Sequence, residues 1–159
     1  IYMNLLLSVL GYWGPYILLV TTSFALMIYN NDYLIVYLFF NVVGTMINYI
    51  AKSAIKQPRP KRQKHLYDFE YKQKHGQEYG MPSGHAQNSF YSLFTVLFNI
   101  PNLYFILLSI LLTCNTCYQR WVYRNHTIAQ IIMGSLTGIL VFCLAYKASE
   151  ANLHRFIQI

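Results

Sequence analysis

Three short stretches hold the residues able to do chemistry. Met81-Pro82-Ser83-Gly84-His85 lies between a basic, aromatic-rich polar segment and a long apolar run. Lys52 to Pro60 precedes it and contributes Lys52 and Arg59; Arg120 to Gln130 follows it and contributes Arg120 and His126. Cations of this kind neutralise an anion, and Arg does so with a planar fork of donors. Imidazole exchanges protons near neutral pH and serves as a nucleophile. The set therefore suits a phosphorylated ligand. Asp68, Glu70 and Glu78 are the acids of the polar segment, and no metal-ligand spacing is present, so neither a metal nor another cofactor is expected.

The cations are confined. Ten of the twelve Lys and Arg residues lie between Lys52 and Arg124, the exceptions being Lys147 and Arg155. The formal charge is +7, yet charged residues make up 11% of the chain, against about 25% in soluble domains. The remainder is apolar. That pattern argues for a membrane and a phosphorylated substrate and against nucleic acid as a partner.

The elements that must position these residues are five apolar runs within one domain. The first, Met3 to Tyr29, is interrupted by Gly11, Gly14 and Pro15, which predicts a short segment followed by a spanning helix over 15–29. It is too long for a signal core and lacks a basic leader. Asn30-Asn31-Asp32 reads as a polar turn. Residues 33–51 are close to the ~20 needed to cross a hydrocarbon core, with Asn41 and Asn48 on one face toward the bundle. Runs three to five cover 84–100, 103–118 and 127–146, the last with a Gly134/Gly138 spacing suited to close helix contact. A short helix is expected around 62–74, and 147–159 reads as an amphipathic end. A soluble helical domain would show charged outer faces, and these runs have none. Cys114, Cys117 and Cys143 read as packing residues, and the many Tyr residues as interfacial belts. The expected fold is all-α, a polytopic bundle of about five spanning helices.

Alternating crossings then put Lys52–Pro60, Pro82–His85, Arg120 and His126 at one membrane face. Polar groups at membrane depth are costly and mark a site.

On these residues the chain resembles the type 2 phosphatidate phosphatase superfamily, which includes lipid phosphate phosphatases, glucose-6-phosphatase, dolichyl diphosphatase and soluble vanadium haloperoxidases. Lys52-x6-Arg59-Pro60 fits the first part of its signature and Pro82-Ser83-Gly84-His85 the second. The third, S-R-x5-H-x3-D, is matched by Gln119-Arg120-x5-His126-x3-Gln130, with Gln in place of the Ser and the Asp. His126-Thr127-x2-Gln130 looks like the dolichyl diphosphatase branch. The resemblance covers about 35–147.

The resemblance implies a metal-independent phosphatase acting on a lipid phosphate or diphosphate, with polyprenyl or dolichyl diphosphate favoured and phosphatidate or sphingoid phosphate as the alternative. It implies His126 as nucleophile, forming a phosphohistidine, and His85 as general acid. It assigns phosphate binding to Lys52, Arg59, Ser83, Gly84 and Arg120; the helix N-terminus expected at Ser83 and Gly84 favours an anion as well. Gln130, four residues after His126, is expected to accept a hydrogen bond from its ring and fix the tautomer; on that reading Glu at 130 preserves function. In a eukaryotic cell the expected location is the endoplasmic reticulum membrane. The residues also leave open a non-catalytic lipid-phosphate-binding protein and a lipid phosphotransferase. Lys56, Lys61, Arg62 and Lys64 read as a basic face toward solvent or headgroups, and Arg124 lies out of register with the signature.

Overall fold

The computed structural model describes residues 4–67 and 79–151. Five helices follow in order: α1 (Leu5–Tyr29), α2 (Asn31–Ile55), α3 (Gly84–Asn99), α4 (Leu103–Val122) and α5 (Ile128–Glu150). No strand occurs among the described residues; Pro58 and Tyr79 form an isolated antiparallel bridge. The all-α bundle expected from the sequence is present. Helices α1, α2 and α5 are each long and apolar enough to cross a membrane. Helix α3 has 16 residues, roughly 24 Å at 1.5 Å per residue, and falls short of a full crossing by itself.

The helices are inside-out relative to a soluble bundle. Phe24, Ile28, Val42, Ile50, Leu111 and Leu136 all face outward, while Ser8, Thr22, Ser89, Ser92, Thr95 and Thr113 are buried. Lipid exerts no hydrophobic drive between helices, so small residues and polar pairs hold them together. Gly134 and Gly138 of α5 lie so close to the Ser83 and Gln87 carbonyls at α3 that a Cβ at either position would collide with backbone. Between α2 and α3, Asn48 Nδ2 donates to Gln87 Oε1 at 2.7 Å and Gln87 Nε2 donates to the Gly44 carbonyl at 2.6 Å. The expected inward face of α2 is thus carried by Asn48, with Asn41 half-buried.

Three local expectations change. Helix α1 is continuous, and Pro15 sits inside it. Gly11 and Gly14 are packed against Gln119 and Thr116 of α4, and that contact overrides the local tendency to break. The polar turn shrinks to Asn30, which ends α1 and caps α2 by accepting from the Tyr33 N–H. Residues 62–67 are not helical; the rest of the helix expected over 62–74, and the tail beyond 151, lie outside the described residues.

An apolar core of Leu26, Val36, Tyr37, Tyr91, Val96, Val141 and Phe142 fills one end of the bundle, where α1, α3 and α5 end and α2 begins. The opposite end gathers the end of α2, the starts of α3 and α5 and the end of α4. All three chemical stretches lie there.

Candidate functional site

Most of the candidate side chains sit at or next to a helix end for a local reason. Lys52 lies in the last turn of α2, which Lys56 terminates in a left-handed conformation. Ser83 is the N-cap of α3 and is fully buried; its hydroxyl oxygen faces the Ala86 N–H at 3.5 Å, which leaves its proton free to donate. Gly84 is the first residue of α3. Arg120 is buried in the last turn of α4, where its Nε donates to Gln119 Oε1. The Arg120 carbonyl accepts from the Asn125 and His126 N–H groups, which folds the connection to α5 back over it.

His126 is buried, and its Nδ1 lies 2.9 Å from the Gly80 carbonyl. A carbonyl oxygen only accepts, so Nδ1 carries the proton and Nε2 the lone pair. Burial is the main reason the imidazole titrates well below 6.5; the charges of Arg59, Lys52 and Arg120 add to it, and the Gly80 bond opposes it. The ring is therefore neutral at physiological pH, with a free nitrogen among three cations. The charges of Arg120, Arg59 and Lys52 also act on the buried His85. The structure thus brings Lys52, Arg59, His85, Arg120 and His126 into one neighbourhood.

His85 meets aromatic residues that their types and spacing do not single out. Its ring centroid is 5.6 Å from that of Tyr12 and 6.3 Å from that of Tyr16, both on α1. The Arg120 guanidinium lies 4.9 Å above the Tyr12 ring, a cation–π placement. Trp13 Nε1 donates to the Tyr67 hydroxyl at 3.0 Å and extends this aromatic wall. Among the described residues, the buried Nε2 of His85 has no hydrogen-bond partner.

The expected contact of Gln130 with His126 is replaced by a different one. Gln130 Oε1 accepts from the Thr127 N–H at 3.1 Å and Thr127 Oγ1 accepts from the Gln130 N–H at 3.2 Å, a capping box at the start of α5. Gln130 Nε2 donates to Gln57 Oε1 and to the Pro58 carbonyl, each at 3.0 Å. The Gln130 carbonyl accepts from the Ser83 N–H, and Gly80, whose N–H donates to the Gln57 carbonyl, rests directly on the Gln130 amide. Gly80 thus lies between the Gln130 amide and the His126 ring. Glu at this position would turn a donor into an acceptor facing two oxygens. Gln130→Glu is therefore predicted to lose about 1–3 kcal/mol of stability and most of its activity, the reverse of the expectation from the sequence. A thermal midpoint and a turnover rate equal to those of the parent would refute it.

The chain is similar to known proteins. A protein from Schizosaccharomyces pombe (strain 972 / ATCC 24843), "Palmitoyl-protein thioesterase-dolichyl pyrophosphate phosphatase fusion 1", is 32% identical over 108 residues. The match takes in 61% of this chain and 16% of that protein, so the chain corresponds to a small part of the relative's length. No solved structure gives a significant match. A family profile described as "PAP2 superfamily" matches residues 33–153, from the start of α2 to past the end of α5, and takes in every signature residue from Lys52 to Gln130. The chain belongs to the PAP2 superfamily.

Proposed function

We propose that this chain is an integral membrane phosphatase that hydrolyses a lipid-linked phosphate or diphosphate through a phosphohistidine on His126. The observation that carries the reading is the neutral His126 ring, its Nδ1 on the Gly80 carbonyl and its lone pair on Nε2, in the electrostatic field of Arg59, Lys52 and Arg120.

In the first step Nε2 of His126 attacks phosphorus and the bond from phosphorus to the leaving oxygen breaks. His85, protonated once the charge of the bound phosphate offsets that of the surrounding cations, gives that oxygen a proton. In the second step water attacks the phosphohistidine, His85 takes a proton from the water, and the nitrogen–phosphorus bond breaks to release inorganic phosphate. The transferring group spreads charge over its outer oxygens, which Lys52, Arg59, Arg120, the Ser83 hydroxyl and the Gly84 N–H are placed to stabilise.

The favoured substrate is a polyprenyl or dolichyl diphosphate. The His126-Thr127-x2-Gln130 pattern and the name of the S. pombe relative both support this. A eukaryotic host would then place the protein in the endoplasmic reticulum membrane. The test is phosphate release from a panel of polyprenyl diphosphate, polyprenyl phosphate, phosphatidate and sphingoid phosphate, with excess chelator present throughout. The expected result is fastest release from the diphosphate and no effect of chelator, because the neutralising charge comes from side chains. Activity that disappears in chelator and returns with magnesium refutes metal independence. Faster release from phosphatidate overturns the substrate assignment while keeping the reaction, and tight binding of all four without release leaves a binding protein.

A further inference from the structure

A second basic cluster lies outside the catalytic residues. Among the described residues, Arg62, Lys64, Trp121, Val122 and Arg124 line a cavity of about 500 Å³, and none of these is a carboxylate. The cavity lies between two segments that hydrogen bonds hold together. The Lys64 N–H donates to the Tyr123 carbonyl at 2.8 Å, and Asn125 Nδ2 donates to the Lys64 carbonyl at 3.2 Å. Arg120 and His126 flank the second segment in sequence, so the cavity is at the same end of the bundle as the candidate site.

Two features separate this cluster from an ordinary solvated basic face. Its cations come from two different segments that converge on one cavity. Arg62 and Arg124 carry left-handed backbone, at φ 58° and 55°, but Lys56 shares it at φ 51° without lining the cavity, so the convergence of the two forks and not the backbone sets the pair apart. Trp121 is also half-exposed beside them, as indoles are at the level of lipid headgroups.

We infer that this cavity is a second phosphate-group site, distinct from the catalytic one, with Arg62 and Arg124 as its principal ligands. The chemistry it fits is a phosphate-bearing anion, supplied either by the headgroup of an anionic phospholipid in the surrounding leaflet or by free phosphate. Arg forks bind phosphate oxygens in pairs, and the indole packs against the glycerol and first methylenes when the source is a lipid. The inference does not depend on the catalytic reading.

The test compares the full chain with Arg62→Gly/Arg124→Gly, where glycine keeps the left-handed backbone and removes the charge. A control, Lys56→Gly/Lys61→Gly, removes two exposed cations that do not line the cavity. All three are placed in nanodiscs of phosphatidylcholine alone or mixed with phosphatidylglycerol. Lipid retention is read by native mass spectrometry and the thermal midpoint by intrinsic fluorescence. The arginine variant is expected to keep or raise its midpoint in phosphatidylcholine and to retain phosphatidylglycerol roughly tenfold less well than the parent, with the control unchanged. A parallel series in phosphatidylcholine with inorganic phosphate separates the sources. Protection by phosphate that the parent shows and the arginine variant lacks, without a lipid effect, assigns the site to free phosphate. Equal lipid retention and equal phosphate protection in parent and arginine variant overturn the inference. So does an equal loss in the lysine control, which reduces the cluster to diffuse charge. If the glycine pair does not fold, Arg62→Asn/Arg124→Asn makes the same comparison, because Asn also tolerates left-handed backbone.

Discussion

His126→Ala is expected to abolish both turnover and any covalent phosphoenzyme. The other candidates act on charge or on protons, and their loss leaves a slower reaction; loss of the nucleophile leaves none of this path. The measurement is acid-quenched labelling of the protein with a substrate radiolabelled at the terminal phosphate, alongside steady-state release. Label retained on the alanine variant would place the nucleophile elsewhere. The same residue governs the acid limb of kcat/KM. Burial, followed by Arg59, Lys52 and Arg120, holds its ring neutral well below 6.5, so activity should persist as the pH falls through that value and drop only below it. Arg59→Gln removes the foremost of those charges. It should move the acid limb to higher pH, because a proton on His126 then meets less repulsion. The ionisation of the substrate is common to both proteins and cancels in the comparison. A limb that stays in place would mean that Arg59 does not act on the nucleophile.

His85→Ala is expected to slow turnover by roughly 10²–10⁴-fold, the usual contribution of a positioned general acid. The size should depend on the leaving group. A lipid alkoxide leaves poorly without a proton, whereas the lipid phosphate leaving from a diphosphate is already a stable anion. The defect should thus be large on a lipid monophosphate and smaller on the corresponding diphosphate. Phosphoenzyme formation should slow most on the monophosphate, with the label still on His126. The aromatic neighbours Tyr12 and Tyr16 hold the ring against α1, and the unpartnered Nε2 is the atom in question. An equal defect on both substrates would remove His85 from proton donation to the leaving oxygen.

The sequence makes legible what is written in residue types. Lys52, Arg59, Ser83, His85, Arg120 and His126 announce themselves by charge or chemistry in an otherwise apolar chain, and helix alternation is enough to gather them at one end. It is silent on groups that every residue carries. The acceptor for His126 is the carbonyl of Gly80, and a backbone carbonyl has no residue-type signature. Gln130 misled for a related reason. The i, i+4 argument assumes that both residues lie on one helix, but α5 begins at Ile128, so His126 precedes the helix and Gln130 is its third residue. Tyr12 and Tyr16 look like interfacial residues in an apolar run. Only the approach of α1 to α4, through Gly11 and Gly14, brings them to His85 and Arg120. Helix α1 also lies outside the residues matched to the superfamily, so this wall is not part of what the match describes.

Gln130 ties together the 57–58 loop, the Gly80 backbone and the start of α3 with its side chain and carbonyl. Freedom that these segments would otherwise keep is surrendered when the chain folds, before any substrate arrives. On the proposed mechanism the lone pair of His126 then needs no search for its orientation, and a phosphoryl group would meet a nucleophile already aligned. Effective concentrations in well-oriented intramolecular reactions reach roughly 10⁵–10⁸ M, and a misplacement of about 1 Å costs about a hundredfold. A residue that never touches the substrate can therefore govern rate through translational and rotational entropy alone.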